Sequence, residues 1–216
     1  MSQEEPHPIA AAAVEPLQND PGNAAPELAP IYSPSVAGEL RQGEIITDLS
    51  ELRLNVPQFT ATGEALFDID LHPYVIVVSQ DCDLTQDYSA KQDPQTAADK
   101  VLPSVLFCEA TTAKLLRGRA DINKDVWRRA VTNKNERYHV LESVPAQFDA
   151  LGVGLPALGI DFKRYFSLPR DEAYHRIATD AHRRCRLVNP YLEHFCTRFF
   201  YYQLRVALPT DHQIEL

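Results

Sequence analysis

Tyr74-Val75-Ile76-Val77-Val78-Ser79-Gln80-Asp81-Cys82-Asp83 is the stretch on which the fold turns. Its first five residues are apolar and four of them are β-branched, with no polar alternation. Such a run predicts a strand buried on both faces, because a half-exposed strand would alternate apolar with polar. It is therefore expected at the centre of the fold. From Ser79 the chain turns polar, setting a hydroxyl, an amide, two carboxylates and a thiol where the strand leaves the core.

Outward from this strand, Gln42-Gly43-Glu44-Ile45-Ile46-Thr47 reads as a turn glycine followed by a β-prone run. Further strand candidates are Glu51 to Val56 and Ala65 to Leu71. Leu84 to Asp99 is polar without hydrophobic spacing and reads as a long surface excursion. Val101 to Cys108 resumes the sheet, with Pro103 confined to an edge or bulge. Ala113 to Arg117 forms a short helix capped by Thr111 or Thr112 and stopped at Gly118. A second helix starts at Asp121, with Ile122, Val126, Trp127 and Ala130 at helical spacing. Arg137 to Leu141 is a strand. Leu155 to Asp161 and Tyr165 to Leu168 form a strand pair or one bent strand. After a strand at Cys185 to Val188, Asn189 and Pro190 open a helix running to about Val206. Its stripe of Leu192, Phe195, Phe199, Tyr202 and Val206 is expected to pack in the core.

Residues 1–38 are rich in Pro and Ala, with no sustained apolar period. They predict a disordered, acidic tail ahead of one α+β domain over residues 39–216. The net charge of −9 is uneven: residues 1–40 hold six acids and no Lys or Arg, whereas 161–216 hold 7 acids and 9 bases. A general nucleic-acid binder would show a basic excess, so the C-terminal segment alone offers an electrostatic footprint. No run approaches the length of a membrane-spanning helix, and the acidic first residues are unlike a secretory signal. Four dispersed cysteines form no CxxC pair, which predicts reduced thiols and a cytoplasmic protein.

Gly43-Glu44-Ile45-Ile46, followed by His72-Pro73-Tyr74-Val75-Ile76-Val77-Val78-Ser79, resembles the opening of PemK/MazF-like proteins across residues 42–80. The resemblance implies an SH3-like β-barrel and metal-independent cleavage of single-stranded RNA. His72 stands where that family has its catalytic Arg. The later Ser/Thr position of the family has no unique counterpart, and 136 residues follow the matched part.

The candidate catalytic residues are thus His72 and Cys82. A nucleophilic thiol needs a neighbouring cation or helix N-terminus, while Asp81 and Asp83 push its pKa the other way. The alternative is that both aspartates hydrogen-bond backbone amides in a turn. Asp81 and Asp83, with Asp68 or Asp70, offer oxygen ligands for Mg²⁺ or Mn²⁺, but the histidine spacing matches no zinc motif, and no metal site is assigned. Ser79, Gln80, Asp81, Asp83, Arg184 and Arg186 are the candidate binding residues. Arg184 and Arg186 are expected on one face of a strand with Arg183 on the other, so that two at most act on one phosphate, unless they pair with nearby acids.

These observations predict an α+β fold: a curved, mainly antiparallel sheet or SH3-like barrel, with helical insertions and a C-terminal helix packed on it. For function they favour a non-catalytic interaction module whose tail and polar segment 84–99 engage a protein partner. A toxin-like, metal-independent endoribonuclease acting on RNA is the alternative. No cofactor and no membrane association are expected, and the oligomeric state is open.

Overall fold

The computed structural model describes residues 30–93 and 98–204. Its strands are β1 (Tyr32–Pro34), β2 (Glu44–Leu54), β3 (Phe67–Val77), β4 (Ser104–Thr112), β5 (Tyr138–Leu141), β6 (Leu158–Pro169) and β7 (His182–Leu187). All pair antiparallel in one sheet of order β1-β7-β2-β3-β4-β6-β5. The helices are α1 (Val56–Thr62), α2 (Asp81–Gln92), α3 (Ala113–Arg117), α4 (Lys124–Val131), α5 (Arg170–Thr179) and α6 (Tyr191–Gln203). The fold is α+β. Of the two expected architectures the open sheet is observed, because β1 and β5 remain its edges and no pairing closes a barrel.

β3 is the middle strand of the seven, as the Tyr74 to Val78 run predicts. Val75 and Val77 point into one core with Leu84 of α2 and Ala173 of α5. Ile76 and Val78 point into the other, beneath Leu192, Phe195 and Phe199 of α6. With helices on both faces, a polar residue within the run would lie unpaired in a core, so the strand cannot alternate. The α6 stripe packs as expected from Leu192 to Tyr202, and Val206 lies outside the described residues. Ile122, Ala130 and Tyr138 build a satellite core with Leu116 under α4.

Several boundaries differ from the sequence reading. Glu44 to Thr47 and the candidate from Glu51, as far as Leu54, belong to one 11-residue strand, β2, while Phe67 to Leu71 of the next candidate joins the central run in β3. The joint shows in the ladder: Pro73 has no N–H to donate, and Asp48 adopts a left-handed φ of 62° between the Thr47–Tyr74 and Leu49–His72 pairs. Leu158 to Pro169 is one strand, bent where its register with β4 shifts between Cys108 and Ala110.

The polar excursion after Leu84 is a correction. Residues 81–92 are helix α2, whose buried residues are Leu84, Asp87 and Ala90. One of the three is an aspartate, so the inward stripe carries too little hydrophobic signal to be read. Asp87 accepts hydrogen bonds from Leu102 N–H (3.0 Å), Arg170 (2.6 Å) and the Tyr174 hydroxyl (2.7 Å), which replace the water it gives up. Residues 94–97 lie outside the described residues.

The expected tail boundary at residue 38 also moves. Tyr32 to Pro34 pair with Leu187 to Cys185 as an edge strand, and Tyr32 is buried. The remainder of the expected tail, residues 1–29, lies outside the described residues.

Candidate functional site

His72 lies on β3 and is buried. Its Nε2 is 3.1 Å from Glu51 Oε2 on β2, and its Nδ1 is 3.0 Å from Glu109 Oε1 on β4. The ring stacks on Phe166 of β6 at a centroid distance of 4.2 Å. Arg53 flanks Glu51, and Arg164 pairs with Glu109, so charges of alternating sign run across four strands. Burial acts to lower the His72 pKa, but the hydrogen bonds to Glu109 and Glu51 outweigh it, and the net shift is upward. The His72 hydrogen bond in turn holds Glu109 down to about 2. Both ring nitrogens of His72 are thus committed to carboxylates, an arrangement that favours the imidazolium form. A general base needs a free lone pair, which this arrangement does not offer.

A pH dependence follows with a definite sign. Because the folded pKa is raised, the stabilisation from His72 is fully present below its unfolded value of about 6.5 and is lost as pH rises through the folded value. The thermal midpoint of the parent is expected to fall above about pH 6.5. In His72→Gln that part of the slope should be absent; an identical slope in both proteins would refute the clamp.

Beside this row lies a cavity of about 270 Å³ whose charged lining includes Glu109, Arg119, Asp161 and Arg164. Each is ion-paired: Asp161 binds Arg119 and Arg137, and Arg119 also binds Asp121.

The Asp81-Cys82-Asp83 segment is the first turn of α2, not a turn leaving the core. Its aspartates complement the partial positive charge of the helix N-terminus. Asp81 receives a fork from Arg41 (3.1 and 3.0 Å), the Gln42 N–H (2.7 Å) and an ion pair with Arg186. Burial tends to raise its pKa, but Arg41, the Gln42 amide and Arg186 prevail and lower it. Asp81 therefore accepts a backbone amide, but from the segment before β2 and not within the turn where the sequence reading placed the hydrogen bonds of both aspartates. Gln42 Nε2 also donates to Val78 O (2.9 Å), which pins that segment to the end of β3.

The other candidates separate. Ser79 Oγ accepts from Leu106 N–H (2.8 Å) on β4. Gln80 is the N-cap residue of α2, without a capping hydrogen bond from its side chain. Cys82 is exposed, and its Sγ lies 3.6 Å from Gln80 Oε1 and 3.6 Å from Asp83 Oδ1. His72 and the Asp81 cluster share no hydrogen-bond or ion-pair partner among the described residues.

The arginine pattern needs correction. Where Ile45 pairs with Cys185 and Ile46 with Arg183, β7 carries one extra residue, Arg184. This bulge breaks the period of two, so Arg184 and Arg186 do not act together. Arg184 is buried against Asp149 (2.8 and 2.7 Å), while Arg183 forks onto Glu44 (2.6 and 2.8 Å) and Arg186 reaches Asp81. Arg183 and Arg186 instead border one hollow, with Arg41 and Glu44. Asp68 and Asp70 bind Asn55 and Arg53, and among the described residues no group of three His, Cys, Asp or Glu is placed to hold a metal ion.

β7 pairs with β2 only as far as Thr47, and β4 pairs with β3 only from Tyr74, so residues 49–54 and 67–72 form a two-stranded arm tipped by α1. By register, Leu52 faces Ile69, Leu54 faces Phe67 and Ser50 faces Leu71, all on one side. Glu51, Arg53, Asp68, Asp70 and His72 take the other. The five large apolar residues of the first side are exposed by between 41% and 68%, and Val56, Phe59 and Leu66 at the tip are exposed too. The sequence showed these residues as strand candidates, but nothing in it indicated that their apolar side would stay uncovered. No protein-family model, curated protein or solved structure matches the chain.

Proposed function

We propose that the chain is a non-catalytic cytoplasmic interaction module that engages a protein partner, and that the arm is its contact surface. The observation that carries this reading is the apolar side of the arm. Five large side chains in register exceed what a solvent-facing ribbon needs, and a contiguous apolar patch of that size marks an interaction site. A two-stranded ribbon is also marginally stable in water unless its apolar face is covered. The contact thus moves from the segment 84–99, most of which is α2, to residues 49–72. Four free cysteines and no helix long and apolar enough to cross a membrane among the described residues are compatible with that compartment. The endoribonuclease alternative has less support, since His72 is held between two carboxylates and the Cys82 thiol lies against the Gln80 amide oxygen and the Asp83 carboxylate.

The test is a photo-crosslinking residue at Ile69, in cells expressing the full chain, with Arg128 of α4 as an exposed control position. A discrete protein adduct specific to position 69 is expected. Equal yields at both positions would count against the arm. Cleavage of single-stranded RNA by the purified chain in EDTA, abolished in His72→Gln, would replace the reading with the ribonuclease.

A further inference from the structure

We infer that the occupant of the arm is a second copy of this chain, whose own arm packs face to face across a two-fold axis. The inference rests on the reading of the arm as a contact surface and adds the identity of the partner.

Area is the first argument. Leu52, Leu54, Phe67, Ile69 and Leu71, at their fractional exposures, present apolar surface on the order of 500 Å². Two copies would together bury roughly 1,000 Å², the threshold for a specific interface, before Val56, Phe59 and Leu66 at the tip are included. One face therefore suffices against itself, without a larger surface from an unrelated protein.

Charge is the second argument. The side of the arm carrying Ser50, Leu52, Leu54, Phe67, Ile69 and Leu71 has no titratable side chain. Its charged residues stand on the reverse side with partners of their own, Arg53 in an ion pair with Asp70 (2.8 Å) and Asp68 accepting a hydrogen bond from the Asn55 amide (3.1 Å). At the base, Ser50 donates to Asp180, which is itself paired with Arg176. A partner chosen by charge complementarity finds nothing to read on such a face. Across these six residues a copy of the face meets no like charge, and the acids at its α5 border, Glu172 at the Leu52 N–H (3.3 Å) and Asp180 at Ser50, are both paired with Arg176, although the chain as a whole carries −9.

Geometry is the third. A two-fold interface must be self-complementary, and the Leu52–Ile69 pair sits midway along the apolar side, between the Leu54–Phe67 and Ser50–Leu71 pairs. Two ribbons facing each other at the usual sheet spacing of about 10 Å form a four-stranded sandwich with a dry interior. That arrangement supplies the cover the isolated ribbon lacks.

The experiment is sedimentation equilibrium of the full chain from 1 to 100 µM, with Ile69→Asp and, as a control, Arg128→Asp. The parent and the control are expected at twice the single-chain mass of 24.3 kDa, and Ile69→Asp at the single-chain mass. Because Ile69 is exposed within the protomer, the variant should keep the parent's circular dichroism. A parent that stays single-chain at 100 µM overturns the dimer, as does a dimer that Ile69→Asp leaves intact. Dye binding separates this failure from that of the broader reading. A monomer that binds an apolar dye, with the signal reduced in Ile69→Asp, keeps the arm open for a different protein. A monomer that binds none has its arm covered by its own chain, and both readings fall.

Discussion

Replacing Arg184 by alanine is expected to lower the unfolding free energy by about 3 to 5 kcal/mol, the cost of leaving a buried charge without its partner. The side chain of Asp149 is fully buried, and Arg184 meets it with two hydrogen bonds of 2.8 and 2.7 Å. Asp149 also accepts the N–H groups of Val153 (3.2 Å) and Gly154 (2.8 Å), so the carboxylate organises a loop as well as the β7 bulge. The Arg184 hydrogen bonds, against burial, hold the Asp149 carboxyl well below the usual carboxylate range. For a depressed carboxylate the stabilisation is present above the unfolded pKa of about 3.9 and is lost as pH falls through the folded one. Part of the parent's acid limb should therefore disappear in Arg184→Ala. Arg186→Ala is a useful contrast: its pair with Asp81 is partly exposed, and Arg41 still holds that carboxylate, so a loss nearer 1 kcal/mol is expected. Urea unfolding at pH 7 measures both. Equal, small losses would mean that water replaces Arg184 at Asp149, and the buried pair would not hold the loop.

Tyr32→Ala is expected to cost about 3 to 5 kcal/mol, the range for truncating a buried aromatic side chain. In a chain of this size that corresponds to a thermal midpoint lower by roughly 10 °C. Tyr32 lies on an edge strand, yet its ring is in the core beneath α6, and its hydroxyl donates to Glu142 O (2.7 Å). Tyr32→Phe keeps the ring and removes that hydrogen bond, so about 0.5 to 1.5 kcal/mol should separate it from the parent. Deletion of residues 1–35 should approach the alanine variant, since it removes β1 entirely. A deletion that leaves the midpoint within a degree would show that β1 contributes nothing to the fold.

Tyr32 also illustrates how far local sequence reaches. The Pro- and Ala-rich composition around it predicts a tail, and no period of two is visible in a strand of three residues. What holds β1 is its register with Cys185 to Leu187, some 150 residues later. By contrast, the β-branched run at Val75 to Val78 and the stripe from Leu192 to Tyr202 were legible. Their signal is a repeat within a few residues, and burial on two faces or on one follows from that repeat. Helix α2 was not legible, because its inward stripe contains Asp87, whose burial is tolerable only once Arg170 and Tyr174 arrive from α5. The same holds for His72, whose protonation depends on Glu51 and Glu109 from the two flanking strands, and for Arg184, which a one-residue bulge turns toward Asp149. Alternating apolar residues make Leu52, Leu54, Phe67, Ile69 and Leu71 into strands. Whether that face is covered depends on where β4 and β7 stop pairing, at Tyr74 and Thr47. Sequence determines the period of an element through local sterics and hydrophobicity; the tertiary structure decides which polar groups find partners and which apolar faces find none, because those partners lie far away along the chain.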